Sequence, residues 1–174
     1  MRFTGGVFSS TDGWTSCALG HQHWGRAGAA GLFLHRDGDD GPEVLLQHRA
    51  LWSHHGGTWG TPGGALHAGE PAHVGALREV REELGLEPED VVLGAQSVDD
   101  HGGWAYTTVL ARPARPIHAR DLRLDGESDG AAWWPLADLD AVELHPGLAA
   151  SLPRLRPLLA AAVPESGRTR RAEE

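Results

Sequence analysis

Between residues 63 and 86 the chain reads GGALHAGEPAHVGALREVREELGL, in which Gly63, Gly64 and Gly69 precede Glu79, Glu82 and Glu83 and Gly85 follows them. Pro71 suits a first helical position, and Gly85 suits the left-handed residue that ends a helix. Ala72, Val74, Ala76, Leu77, Val80 and Leu84 recur at roughly helical spacing, so the pattern predicts a helix over residues 71–84. On that helix Glu79, Glu82 and Glu83 stand at i, i+3 and i+4 and share one face. The i,i+4 pair Glu79 and Glu83 repels by a few tenths of a kcal/mol. A hard divalent cation, Mg²⁺ or Mn²⁺, is the natural partner for three such carboxylates. The glycines before the helix would let backbone approach the same ion or its phosphates. Taken alone, REVREEL reads as a solvated charged face, and only the surrounding spacing speaks against that.

That spacing resembles the Nudix hydrolase signature: Gly, five residues, Glu, seven residues, then Arg-Glu-aliphatic-any-Glu-Glu-any-Gly-aliphatic. Gly64, Glu70, Arg78, Glu79, Val80, Glu82, Glu83, Gly85 and Leu86 occupy it without departure. Seven fixed positions at roughly 7% usage each would match by chance in a chain this long about once in a million. The resemblance implies an α/β (α+β) fold, an α/β/α sandwich around a central mixed β-sheet, with the signature as a loop-helix-loop. It implies a metal-dependent pyrophosphohydrolase acting on a nucleoside diphosphate linked to another group, with Mg²⁺ as cofactor and Mn²⁺ able to substitute. Carried over by position, Glu79, Glu82 and Glu83 are expected metal ligands and Gly63 a backbone carbonyl ligand. Arg78 is expected to orient a carboxylate. Glu70, like Gly64 and Gly85, takes a structural role in the loop-helix geometry. The proton-accepting carboxylate varies across the family. Glu127, ahead of the Trp-rich GAAWW segment, is the candidate distal carboxylate, with Asp129 as its competitor.

At 174 residues the length favours one domain with a real core. Residues 1–24 read as an N-terminal extension of strands packed on the core, 25–163 as the hydrolase domain, and 164–174 as a charged, disordered tail. Along the chain AAGLFLH and EVLLQHR read as a hairpin, and a short strand is expected around Trp59. VVLGAQSV, WAYTTVLA and GAAWW read as three further strands. PLADL reads as a helical turn, and PGLAASLPRLRPLLAAA as a terminal helix disturbed at Pro153 and Pro157.

The formal charge of −9 argues against a nucleic-acid polymer as partner, since backbone binding needs concentrated positive charge. A small anionic nucleotide remains suitable where a metal supplies local positive charge. No apolar run reaches the roughly 18–20 residues of a membrane span, and the N-terminus lacks a signal-peptide core, so a cytoplasmic protein is expected. A homodimer is compatible with the N-terminal segment extending a sheet or exchanging with a second copy.

Trp52, Trp59 and Trp104 fall in or near loops that could face the signature, where an indole could stack on a nucleobase, with core packing as the alternative for each. Arg49 could touch phosphate or stand as an exposed structural arginine. Cys17, His21 and His23 have ligand-like spacing, yet no second pair in the sequence completes a four-ligand site. His54, His55, His67 and His101 lie in loops near the expected site. Within the hydrolase class a nucleoside triphosphate, whether ordinary, oxidised or otherwise noncanonical, is favoured. A dinucleoside polyphosphate or an ADP-sugar is the alternative, or a non-catalytic module that senses a nucleotide. The proline associated with ADP-ribose hydrolysis is replaced by Gly102.

Overall fold

The computed structural model describes residues 11–161. β1 (Trp14–Ser16) and β2 (Gln22–Trp24) make a small antiparallel sheet of their own. The main sheet is built from β3 (Ala29–Gly38), β4 (Gly41–Arg49), β5 (Trp59–Gly60), β6 (Gly63–Ala65), β7 (Val91–Asp100), β8 (Ala105–Pro113) and β9 (Ser128–Pro135). Its order is β5-β4-β3-β8-β7, with β6 paired to β3 and β9 to β4. The β3–β8 pairing is parallel and the others are antiparallel, which makes the sheet mixed.

Strand alternation assigns the two layers. Leu32 and Leu34 of β3, Leu45 of β4, and Val109 and Ala111 of β8 face α1 (Ala72–Leu84), where Ala76, Val80 and Leu84 meet them. Their neighbours Phe33, Val44, Leu46 and Leu110 point to the opposite face, against Leu148, Leu152, Leu155 and Leu159 of α2 (Pro146–Ala161). The side chains on both faces of these central strands are almost fully excluded from solvent. An uninterrupted apolar run such as AGLFLH is therefore what a strand sandwiched between two helices requires.

Three expectations shift. Pro71 is the extended cap residue (φ −63°, ψ 143°), so the helix starts one residue later, while Gly85 ends it at φ 68° with its N–H on the Arg81 carbonyl. In the expected N-terminal extension the first described strand stops at Ser16, because the Cys17 N–H bonds the His21 carbonyl and turns the chain. The terminal helix runs on through Pro153 and Pro157. Both prolines lie on its exposed side, where water can satisfy the carbonyls left without a donor. The expected tail from Pro164 lies outside the described residues.

Pairing of β6 with β3 was not foreseen, and glycine makes it possible. A Cβ at Gly63 would lie 2.5 Å from the Gly31 Cα, so neither position has room for a side chain. This close approach pins the glycine-rich loop against the sheet immediately before α1.

Candidate functional site

Four carboxylates of the 70–83 segment are held by different means. Glu70, nearly devoid of solvent contact, accepts Nε and Nη2 of Arg78 at 3.0 Å each, and the His67 N–H at 2.9 Å. Burial alone would raise its pKa, but these donors hold it below the ordinary carboxylate value. Arg78 also donates to the Ala65 carbonyl and to Glu79, and approaches Glu82 at 3.6 Å. One guanidinium thus ties the loop (Ala65, Glu70) to the helix (Glu79), and its own pKa is driven upward by the Glu70 bond first.

Glu83 is the buried member. One of its oxygens accepts Gln47 Nε2 at 3.0 Å and the Gly63 N–H at 3.1 Å. Burial, then the nearby Glu79 charge, with a lesser push from Asp125, raises its pKa to about 8 despite those two donors. Glu79 is pushed the same way, by burial first, against the pull of Arg78. Glu82 is exposed. Among the described residues the three glutamates do not gather their oxygens within 4.8 Å of one another. A buried and a half-buried carboxylate that both resist ionisation are short of positive charge, and a hard divalent cation bound between them would lower both pKa values. The backbone leaves room for this arrangement: a Cβ at Gly64 would stand 2.6 Å from the Glu79 carboxyl carbon. The donor set therefore fits such an ion.

The loop between the short helical turn at 119–121 and β9 closes over the C-terminal end of α1. The Asp125 N–H bonds the Glu83 carbonyl, and the Glu127 carbonyl accepts the Ala50 N–H beside Arg49. The Glu127 N–H in turn bonds Asp125 Oδ1 at 3.0 Å, and its own side chain is exposed. Asp129 is exposed as well. Arg49 Nε is bound to the His54 carbonyl at 2.9 Å, and Trp52 stands 72% exposed in the loop that follows. Trp59 is packed edge-on to Trp134 in the α2-side core. Trp104 is buried, donating its indole N–H to the Gly25 carbonyl at 2.8 Å. Of the three tryptophans singled out in the sequence, Trp52 is thus the one with an open face.

Sequence reasoning passed over Gln47, Asp125 and the buried neighbourhood of Tyr106. Gln47 carried a signal: it sits two residues after Leu45 in an apolar strand, so it must point into the α1-side layer. A buried amide there needs a polar partner. The Tyr106 hydroxyl, bonded to Thr61, lies above Gly31 and Gly63, where a Cβ at Gly63 would come within 2.8 Å of it. Burial, then the Glu83 charge, drives its pKa upward, so it stays a neutral donor. His145 is lowered to about 4 by burial and by His55, beside which it sits.

The comparisons with known proteins bear on this whole region. A family model described as the NUDIX domain matches residues 25–155. The chain is 46% identical over 152 residues to a protein of Mycobacterium tuberculosis (strain H37Rv) named putative 8-oxo-dGTP diphosphatase 3, covering 83% of this chain and 69% of that one. It is 44% identical over 152 residues to a nucleoside triphosphate pyrophosphatase/Nudix hydrolase fusion protein of Bifidobacterium longum. That match takes in 85% of this chain but only 31% of the fusion. Among solved structures it is similar to a Nudix hydrolase from M. smegmatis, RenU, with a TM-score of 0.77 and 40% identity, covering 87% of this chain and 97% of the other.

Proposed function

The chain belongs to the NUDIX family, and from that premise we infer that it hydrolyses the pyrophosphate bond of a nucleoside triphosphate, releasing the monophosphate and pyrophosphate. An oxidised guanine nucleotide is the substrate we put first, on the strength of the name carried by the Mycobacterium tuberculosis relative. No helix among the described residues is long and apolar enough to cross a membrane.

The observation that carries the reading is the state of Glu83: a buried carboxylate beside a second carboxylate, pushed to about 8 and accepting only neutral donors. Glu79, Glu82, Glu83 and the Gly63 carbonyl would hold a divalent cation, Mg²⁺ with Mn²⁺ as substitute. When bound, such an ion shields the charge of the phosphates and lowers the pKa of the attacking water. Arg78 keeps Glu79 turned toward the loop, and Glu70 keeps Arg78 from swinging away. Gln47 and the Gly63 N–H fix one oxygen of Glu83 and leave the other for its work. Water adds to one phosphorus, the bridging P–O bond breaks, and Glu127 accepts the water's proton. Its exposed carboxylate on the loop closing over α1 supports that assignment. Arg49 would meet a phosphate, and Trp52 the base.

A panel of ordinary and oxidised triphosphates, dinucleoside polyphosphates and ADP-sugars, incubated with Mg²⁺ and resolved by chromatography, tests the reading. Cleavage of an oxidised triphosphate, lost in Glu83→Gln, is expected. Cleavage of another class would replace the substrate assignment, and binding without turnover by wild type would replace the enzyme with a nucleotide-sensing module.

A further inference from the structure

The N-terminal hairpin carries a second constellation that the hydrolytic reading does not use. The turn between β1 and β2 presents Cys17 and His21, β2 presents His23, and the turn after β7 presents His101. One ligand atom from each of the four lies within 4.8 Å of every other. We propose that Cys17, His21, His23 and His101 form a zinc site that staples the N-terminal hairpin to the β7–β8 turn.

The first support is a pair of orphaned nitrogens. His23 Nε2 and His101 Nδ1 are shut off from solvent, and neither has a hydrogen-bond partner among the described residues. An inaccessible imidazole nitrogen without a partner is costly in a folded protein, and a metal ion satisfies it. The opposite edge of His101 points to the same conclusion. Its Nε2 lies 3.2 Å from Asp99 Oδ2, and Asp99 is held by Arg154 of α2 at 2.7 Å. A ligating histidine characteristically gives its other N–H to a carboxylate, which fixes the tautomer and leaves the free nitrogen basic. The His23 ring is fixed differently, stacked on the Trp104 indole at 3.8 Å with 8° between planes. Backbone bonds complete the frame, from the Cys17 N–H to the His21 carbonyl and from the Ala18 N–H to the Gly102 carbonyl.

The donor chemistry selects the ion. A thiolate with three imidazoles suits a borderline-soft, tetrahedral cation and disfavours Mg²⁺, so the cation of the glutamate cluster would not compete here. Metal bonds of about 2.0–2.3 Å imply a tetrahedron edge of about 3.3–3.8 Å. Closing the cluster from 4.8 Å or less thus takes about an ångström of side-chain rotation. Cys17, buried and unpaired, loses its thiol proton on binding, and the imidazoles bind neutral. Four protein ligands leave no open position, which makes the site structural. Its consequence is mechanical: Trp104 and Tyr106 lie two residues apart on or beside β8, so the staple braces the strand whose tyrosine hydroxyl lies over Gly63 of the glycine-rich loop.

The full chain, purified in Mg²⁺ buffer, would be equilibrated with zinc, desalted, and assayed for metal, with a cobalt-loaded sample examined by visible spectroscopy. Retention of about one zinc per chain and a thiolate-to-cobalt charge-transfer band are expected. Cys17→Ser should abolish that band, His23→Gln and His101→Gln should release the zinc, and Asp99→Asn should weaken it about 10- to 100-fold. Glu83→Gln should retain zinc fully, so the outcome does not depend on the hydrolytic reading. No retained zinc and no cobalt–thiolate band in wild type would overturn the proposal without any variant having to fold. Retention unchanged in the Cys17→Ser/His23→Gln double variant would also overturn it, placing the ion elsewhere, for example at His54, His55 and His145.

Discussion

The glutamate cluster on α1 and the Cys/His cluster beside β2 are both sets of metal-capable side chains, and they are built on opposite logic. The glutamates come from five consecutive positions of one helix and are brought together by its pitch. The Cys/His set comes from a hairpin and from a turn 78 residues further on, brought together by the packing of two sheets. The glutamates differ in exposure, with Glu83 buried and Glu82 open, as a site that must admit substrate requires. In the Cys/His set Cys17 is buried and His23 Nε2 and His101 Nδ1 are closed off, as a staple requires, while His21 sits at the surface. Charge differs too. Carboxylates raise one another's pKa and need an ion to ionise together, whereas neutral imidazoles need one only to satisfy orphaned lone pairs.

The largest expected effect separates the clusters by activity. Glu83→Gln should lower kcat by at least about 10²-fold, the scale on which a positioned catalytic group acts. It keeps acceptors for Gln47 and Gly63 and so preserves the fold. Cys17→Ser should leave kcat within about threefold while lowering the Tm measured in zinc. A loss of turnover in Cys17→Ser as deep as in Glu83→Gln would erase the distinction between the two sites.

Arg78→Ala comes next. It leaves Glu70 buried without its charged partner, a loss of about 3–5 kcal/mol when one member of a buried pair is removed, reduced here because Arg78 is partly exposed. Urea unfolding would read this, and Arg78→Lys should recover only part, because an ammonium cannot span Glu70, Glu79 and Ala65 together.

A pH measurement sharpens the contrast in charge. The folded chain holds the Glu83 proton up to about pH 8, while the unfolded chain releases it near 4.5. The resulting stability is complete below about 4.5 and is lost as pH rises toward 8. Histidines lowered by burial, such as His145 and His35, act in the opposite direction up to the ordinary histidine value of 6.5. Between about pH 7 and 8 these histidines no longer oppose Glu83, and Glu79 is shifted in the same direction as Glu83, so the metal-free chain should lose stability there. Saturating Mg²⁺, or Glu83→Gln, should flatten that decline in urea midpoints.

The smallest effect concerns the surface. Trp52→Ala should change stability by no more than about 0.5 kcal/mol, since the side chain packs on little. It should raise KM for the nucleotide more than it lowers kcat, as expected for a base-stacking contact.

Much of this site was legible in the sequence because helical pitch is a local rule. Once residues 72–84 are helical, the shared face of Glu79, Glu82 and Glu83 follows from their spacing, and Gly85 marks the end by its left-handed backbone. The run AAGLFLH likewise read as a strand, and its unbroken apolar character fits the cover that the structure gives it on both faces. Non-local contacts were not legible. Nothing near Gln47 in the chain says that α1 will bring Glu83 to it, 36 residues away, and nothing near Trp104 says that its face will be taken up by His23. Cys17, His21 and His23 showed ligand spacing without a fourth member, which arrived only when the β7–β8 turn folded against the hairpin. The sequence by itself determined the helix over residues 72–84, the long strands and the carboxylate face of α1, because these rest on periodicities of 2 and 3.6 residues, and the layered sandwich followed only through the resemblance that the signature carries. Tertiary structure alone decided which carboxylate is buried, which tryptophan stays open and where the fourth ligand comes from. Burial and juxtaposition depend on which distant surfaces exclude water together.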